Sequence, residues 1–171
     1  MLKLIALTGI ITASGLMGMT KTKILKERLT ILEDYMQAVI ELKGKINYFK
    51  EPLPIIFEKF SEENNSKAHM LLKSLSLELI KADTQVSSAW CDKLSEIYEN
   101  SPLTDEDIEV MKYLGEFIGQ TDFENHLYHF SYLEEKLKNQ IAEAKESLRK
   151  KGPMYNKIGF FLGSIGAIIL F

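Results

Sequence analysis

The chain has 171 residues, of which 46% are hydrophobic and 26% are charged, with a formal net charge of −3. This length and balance are typical of one globular domain with its own apolar core. The charge is segregated, because residues 29–148 hold 12 basic and 23 acidic residues while nine of the 21 basic residues flank the ends. An acidic middle argues against nucleic-acid binding, which needs a basic surface to neutralise phosphates. It favours either a solvated helical surface or a face for a basic protein partner.

The first uncharged segment, residues 4–20, would reach about 26 Å as a helix, within the lower range for a membrane span. One interpretation is a cleavable secretory signal with small residues around Ala13. The other is a retained transmembrane helix over residues 1–20. Basic residues stay on the cytoplasmic side of a membrane, and those after this segment outnumber Lys3 before it, which favours a retained anchor with its N-terminus outside. The residues that set this topology are Lys21, Lys23, Lys26 and Arg28.

Apolar residues recur at steps of three and four through residues 21–151, and no stretch shows the alternation typical of a strand. The sequence therefore predicts an all-α cytoplasmic bundle of about six helices, flanked by N- and C-terminal transmembrane helices. The predicted helices run from 21 to about 49, where Pro52 and Pro54 end the first, then over 55–60, 67–81, about 84–98, 105–118 and 122–148.

Polar residues at the starts of these helices predict caps. Thr104 with Asp107, and Thr121 with Glu124, have the spacing of a capping box, and acids in a first turn suit the helix dipole. Capping is favoured over a metal or acid–base role for the three acids at 105–107. Asp83 or Thr84 is expected to cap the helix that ends near Tyr98, and Gly115 and Gly119 are expected to allow close helix approach.

The last long helix runs into a basic block and then into an apolar tail, residues 152–171, which would reach about 30 Å as a helix. Its basic residues precede the tail, so that end is also predicted to be cytoplasmic. Lys157 would have to extend to the interface, and a re-entrant or interfacial helix is the alternative to a full span. The basic residues that set this second topology are Arg149, Lys150 and Lys151.

Small residues are spaced by four in both end segments. Such spacing lets helix backbones approach closely in lipid, where packing replaces the hydrophobic effect. It predicts that the two spans pack on each other or on a neighbouring subunit of a homo-oligomer, although glycine and alanine are also simply common in membrane helices. The residues concerned are Gly9, Ala13, Ser14 and Gly18 in the first segment and Gly159, Gly163 and Ala167 in the second.

Catalytic and metal-binding patterns give little signal. His126 and His129 share a helix face, as metal ligands can, but no further ligand pattern completes a site, so a solvated or helix-packing pair is expected. Cys91, the single cysteine, is expected to be a small buried side chain rather than a nucleophile. The sequence has no phosphate-binding glycine loop and no nucleophile elbow. We therefore predict no cofactor, no metal and no enzymatic activity.

Several short segments follow one another at a specific spacing over essentially the whole chain. They are LKGKINYFKEPLP at 42–54, Ala89-Trp90, Leu103-Thr104 with Asp107, Leu114-Gly115, Ile118-Gly119, Asp122 with Glu124, and KGPMYNKIG at 151–159. In these segments the chain resembles the stage III sporulation protein AB family of endospore-forming bacteria. One departure is His126, where the family is expected to carry glutamine.

The resemblance implies a helical domain similar to the cytoplasmic domains of the inner-membrane platform protein of type II secretion and type IV pilus machines. It also implies a multi-pass protein of the mother-cell (outer forespore) membrane, in a channel or secretion-like complex facing the forespore. Its expected partners are a cytoplasmic secretion-type ATPase, similar to stage III sporulation protein AA, and the other membrane proteins of that complex. A membrane-anchored helical regulator that senses a ligand is the alternative function, and a membrane enzyme is a third.

Overall fold

The structure, a computed structural model, describes residues 2–49, 53–61, 66–81, 85–118 and 123–170. Those residues form six α-helices and contain no strand, so the predicted all-α class is confirmed for them. The helices are α1 (Leu2–Phe49), α2 (Leu53–Ser61), α3 (Lys67–Lys81), α4 (Val86–Tyr98), α5 (Asp105–Ile118) and α6 (Phe123–Leu170).

The two apolar end segments continue the first and last helices of the predicted bundle. Neither apolar end segment is a separate helix, because the first belongs to α1 and the second to α6, each 48 residues long. The last helix passes from the basic block through Pro153 into the apolar tail without a break. A proline removes one backbone N–H from the hydrogen-bond ladder but keeps a φ that suits a helix, so a long helix can pass through one. Within the described ranges, no helix is both long enough and apolar enough to cross a membrane.

The chain divides into two compact units, one formed by Met1–Leu29 with Ala142–Phe171 and the other by Thr30–Ile141. The second unit holds a continuous apolar core to which all six helices contribute. Its largest fully buried side chains come from α1 to α6 and are Trp90, Tyr35, Phe57, Phe130, Leu32, Leu42, Leu71, Leu75, Leu94, Met111 and Leu114.

Two buried polar side chains in this core share one acceptor. The hydroxyl of Tyr35 in α1 donates to the carbonyl oxygen of Met111 in α5 at 2.9 Å, and Nε1 of Trp90 in α4 donates to the same oxygen at 3.1 Å. Burial, with a smaller contribution from Tyr98, raises the pKa of Tyr35 well above its ordinary value of 10.0. Both donors are therefore satisfied where an unpaired polar group would cost about 1–3 kcal/mol.

Gly115 is the position where α5 meets the indole of α4. A Cβ placed on Gly115 would lie 2.5 Å from Cβ of Trp90 and 2.6 Å from its Cδ1. Since carbon atoms pack best at about 3.5–4.0 Å, only glycine fits this contact without movement. The prediction of close approach is confirmed at Gly115, while Gly119 lies outside the described residues.

The start of α5 is the predicted capping box. The backbone N–H of Thr104 donates to Oδ2 of Asp107 at 2.9 Å, and the N–H of Asp107 donates to Oγ1 of Thr104 at 3.2 Å. The capping role of Asp107 is thus confirmed. For α4 the N-cap residue is Gln85, whose side chain makes no capping bond. The N-cap position predicted for α4, Asp83 or Thr84, is therefore wrong, and the cap predicted at Thr121 lies outside the described residues.

Candidate interaction surfaces

In the unit formed by the two chain ends, α1 and α6 are in close contact. A Cβ on Gly18 would lie 2.5 Å from the carbonyl oxygen of Tyr155, and a Cβ on Gly159 would lie 2.7 Å from that of Ser14. The Ser14 hydroxyl donates a hydrogen bond to the carbonyl of Gly159. Residues later in α1 contact residues earlier in α6, so the two helical segments are antiparallel. Three of the predicted packing residues, Ser14, Gly18 and Gly159, therefore lie together.

The remaining predicted packing residues are not part of this contact as far as the structure describes them. A Cβ added to Gly9 would meet no atom of the described residues within 4 Å. The side-chain surroundings of Ala13, Gly163 and Ala167 lie outside the described residues. Sequence spacing missed one participant: Thr22 Oγ1 lies 3.1 Å from the carbonyl oxygen of Gly152 and 3.1 Å from Oδ1 of Asn156. Thr22 can be identified from the sequence because threonine, like glycine, alanine and serine, is common where two helices approach closely.

The predicted topology-setting residues divide into exposed and buried ones. Those with exposed side chains, which we call the basic flank, are Lys21, Lys23, Lys26, Arg149, Lys150 and Lys151. Lys150 also pairs with Glu146 at 2.6 Å. Arg28 differs from these six residues, because it is only 6% exposed and its Nη1 lies 3.4 Å from Oε1 of Glu143. The partner is 115 positions away in sequence, which is why local spacing did not reveal it.

The two histidines predicted to share a helix face pack against aromatic rings of α5. His129 stacks on Phe117, with ring centroids 5.1 Å apart and an interplanar angle of 15°, and its Nδ1 shares a hydrogen bond with the Tyr113 hydroxyl at 2.5 Å. His126 lies 6.1 Å from Phe117 by ring centroids. Among the described residues, no group of three or more His, Cys, Asp or Glu side chains is placed to hold a metal ion. The ring contacts with Phe117 fit the helix-packing interpretation of both histidines.

Cys91 is half-buried rather than buried, so the burial predicted for it is wrong in degree. It follows Trp90 in α4, and Trp90 is the residue of the pair that faces the core. Adjacent helix positions point about 100° apart, so a fully buried neighbour does not place Cys91 in the core.

Between α5 and α6 lies an open groove of about 200 Å³, which we call the α5–α6 groove. Tyr113 and Tyr132 meet there edge to face, with ring centroids 5.3 Å apart. The ammonium group of Lys136 lies 5.3 Å from the centroid of Tyr132, within cation–π range. Burial, followed by nearby Tyr132, Tyr128 and Glu116, raises the pKa of Tyr113. The groove is lined by Glu109, Val110, Tyr113, Tyr132, Leu133 and Lys136.

Sequence patterning alone does not identify this groove. A signal is present, since Tyr113, Phe117, Tyr128 and Tyr132 lie within 20 residues of a chain with 10% aromatic content. The helical stripe of α6 predicts burial of Leu127 as well, but that side chain is 41% exposed. Periodicity identifies an apolar face without revealing how much of it a neighbour covers.

A second exposed aromatic region lies where the end of α1 adjoins the start of α6, and we call it the aromatic end. A small cleft is lined there by residues of both helices, including Asn47 and Leu127. Next to them in sequence, Tyr48 is 82% exposed and Tyr128 is 72% exposed. Tyrosine is enriched in protein interfaces, because it offers a large, rigid contact area with a polar tip. The aromatic end is therefore a candidate docking surface.

Comparisons with known proteins identify one family. A family model described as Stage III sporulation protein AB (spore_III_AB) matches residues 3–171. The Stage III sporulation protein AB of Bacillus subtilis (strain 168) is 25% identical over 170 residues, covering 99% of each chain. A solved structure of Stage III sporulation protein AB (SpoIIIAB) has a TM-score of 0.65 and 22% identity, over 72% of this chain and 97% of that chain. Since the family model matches nearly every residue, the chain belongs to the stage III sporulation protein AB family.

Proposed function

We propose that this protein is a non-enzymatic, membrane-anchored component of a sporulation channel or secretion-like complex of the mother cell. In this proposal it is a platform-like subunit that docks a cytoplasmic secretion-type ATPase similar to stage III sporulation protein AA. Other membrane proteins of the complex, and further copies of this chain, adjoin it in the membrane. Membership of the stage III sporulation protein AB family over residues 3–171 is the observation that carries the proposal.

Charge segregation supports a docking role for the middle of the chain. Residues 29–148 contain 23 acidic and 12 basic residues, so this part is acidic while the ends are basic. A field of one sign steers a partner of the opposite sign and suppresses wrong partners. We infer that the ATPase meets the middle of the chain with a basic face, and that association is faster at low ionic strength.

The aromatic end supplies the contact area that charge alone does not. Tyr48 and Tyr128 expose most of their side chains on different helices, α1 and α6. Interface energy is concentrated in a few aromatic and arginine side chains near the centre of a contact. We therefore assign the docking contact to this end, with Tyr48 and Tyr128 as its anchors.

The membrane tether is proposed from charge placement. The basic flank, which follows the first apolar segment and precedes the last, would keep residues 21–151 in the cytoplasm and both termini outside. Six exposed basic side chains in that flank would also meet anionic lipid head groups, at about 1 kcal/mol each. Reporter fusions at both termini, with protease accessibility of the middle, test this arrangement. Cytoplasmic termini, or a mature protein lacking residues 1–20, would overturn it.

A co-purification assay tests docking. The full-length chain in nonionic detergent is expected to retain the purified ATPase on beads at low salt and to release it progressively as salt is raised. Changing both Tyr48 and Tyr128 to serine is expected to reduce the retained ATPase about tenfold or more, since each anchor contributes about 1–2 kcal/mol. Met70→Ser is the matched control, because Met70 is 56% exposed on α3, away from both anchors in sequence. Equal loss with the control, or no complex with the unaltered chain, would exclude the proposed dock.

The competing ligand-sensing function has less support. Sites for small molecules are typically cavities of about 300–1,000 Å³ that enclose most of the ligand. The α5–α6 groove is smaller, about 200 Å³, and is open. The described core of the unit Thr30–Ile141 is a cluster of buried apolar side chains, including Leu71, Leu75 and Leu94. An open and small groove favours protein docking over the enclosure of a small molecule.

A further inference from the structure

The α5–α6 groove combines an apolar floor with an acidic border. Val110 and Leu133 lie in its lining beside the two tyrosines. Five of the 14 residues of α5 are acidic and one is basic, as its sequence DEDIEVMKYLGEFI shows. Glu109 lines the groove directly, its side chain is 69% exposed, and its carboxylate pairs with Lys112 of the same helix at 2.8 Å. The helical positions three before Glu109 and three after Tyr113 are also glutamates with exposed side chains, Glu106 and Glu116.

The groove already holds one cation. Lys136 places its ammonium group 5.3 Å from the ring centroid of Tyr132. A lysine is a compact and strongly hydrated charge, whereas an arginine presents a flat guanidinium that stacks on aromatic rings and forms paired hydrogen bonds to a carboxylate. An aromatic wall beside a carboxylate therefore suits arginine better than lysine.

We propose that the α5–α6 groove is a docking site for an arginine side chain presented by a segment of a partner protein. The guanidinium stacks on Tyr132 and Tyr113, replaces the ammonium group of Lys112 on the carboxylate of Glu109, and lays its methylene stem along Val110 and Leu133. A volume of about 200 Å³ accepts one long side chain rather than a folded peptide or a cofactor. The acidic border selects the charge of the occupant, and the tyrosine pair selects its shape.

A second copy of this chain is a weaker occupant. The chain contains two arginines, Arg28 and Arg149. Arg28 is buried against Glu143. Only Arg149 has an exposed side chain, and it lies in the basic flank with Lys150 and Lys151.

The proposed arginine site is distinct from the ATPase docking surface proposed at the aromatic end, and it does not depend on the identity of the partner.

A peptide titration tests the site. The probe is acetyl-Gly-Leu-Arg-Leu-Arg-Gly-amide, added to full-length protein labelled with 3-fluorotyrosine in nonionic detergent and followed by ¹⁹F NMR. We expect the resonances of Tyr113 and Tyr132, assigned with Tyr→Phe variants, to shift saturably. The lysine version of the peptide should bind more weakly, and a version with neutral citrulline should not shift them. Equal binding of the citrulline peptide would overturn the proposal.

Three substitutions sharpen the test. Glu109→Gln and Tyr132→Leu should each weaken binding about two- to fivefold, the range of an exposed ion pair or cation–π contact. Lys136→Gln should strengthen binding, because it removes the resident cation. The matched control is Glu96→Gln, since Glu96 pairs with Lys93 at 2.7 Å over the same three-residue spacing as Glu109 with Lys112 at 2.8 Å.

Each outcome decides the proposal. Binding that Glu109→Gln leaves unchanged, or that Lys136→Gln weakens, would refute it, and both are surface changes that preserve the fold. Tyrosine shifts that appear without peptide and grow with protein concentration would identify a second copy as the occupant, and would refute it as well. The fluorescence of Trp90 verifies folding of every variant. Because the peptide titration contains no ATPase, its result is independent of the co-purification assay. Either experiment can fail while the other succeeds.

Discussion

The contact between Gly115 and Trp90 predicts a large loss of stability in Gly115→Ala. The added Cβ would lie 2.5 Å from Cβ of Trp90, about 1 Å closer than carbon atoms pack. The indole is 1% exposed and its Nε1 is held on the Met111 carbonyl at 3.1 Å, so it has little room to retreat. Overpacking a rigid core costs about 3 kcal/mol at the upper end, and alanine in a helix returns about 1 kcal/mol. The expected net loss is about 2 kcal/mol.

Urea unfolding of the full-length chain in nonionic detergent measures this loss through the fluorescence of Trp90, the single tryptophan. With a slope of about 2 kcal/mol per molar urea, the midpoint should fall by about 1 M. The matched control is Gly44→Ala in α1, where a Cβ meets no described atom within 4 Å. Without a clash, it should raise the midpoint by about 0.5 M through helix propensity alone. If the two variants have equal midpoints, the steric reasoning is wrong.

Three further predictions follow from contacts already described. Tyr35→Phe should cost about 1 kcal/mol by removing the bond to Met111, and should make stability less sensitive to alkaline pH. The sign follows from the raised pKa of Tyr35, which makes its contribution complete below pH 10.0 and lost above that value. Asp107→Ala should cost about 1 kcal/mol in urea unfolding by opening the cap of α5. Gly18→Ala should reduce oxidative cross-linking between cysteines placed at 22 and 156 in a Cys91→Ser background, because its Cβ meets the Tyr155 carbonyl.

Each of these has its own control. An alkaline unfolding profile that is identical for Tyr35→Phe and the unaltered chain would contradict the assigned role of that hydroxyl. Asp105→Ala, in the same turn and exposed, should be close to neutral, and a cost equal to that of Asp107→Ala would point to the helix dipole instead of the cap. Gly15→Ala, whose Cβ meets no described atom within 4 Å, should leave the cross-link unchanged.

The features that the sequence predicted well are those set by neighbouring residues. The capping box at the start of α5 needs only Thr104 and Asp107, three positions apart, and the structure has both of its hydrogen bonds. The helical class likewise follows from apolar spacing within each segment.

The features that it missed depend on which segments meet. Arg28 belongs to a basic run from which topology is predicted, and nothing in that run indicates that its side chain is buried against a glutamate 115 positions away. His129 is expected from its sequence to pack or to be solvated, but nothing in its own helix specifies Phe117 as its stacking partner. The α5–α6 groove exists only because two helices leave a gap between them, and such gaps depend on side-chain volumes in three dimensions. For this reason the spacing of residues in the sequence does not identify the residues that line the groove.

The shared acceptor in the core has a consequence for how this chain tolerates mutation. The oxygen that receives both buried hydrogen bonds belongs to the backbone of Met111, so no replacement of that side chain removes it. Among side-chain substitutions, only those at the two donors, Tyr35 and Trp90, can remove these hydrogen bonds. A substitution at position 111 would therefore affect stability through the volume of the new side chain and not through these hydrogen bonds. A one-residue insertion in α5 would rotate the carbonyl away and leave both donors without their acceptor.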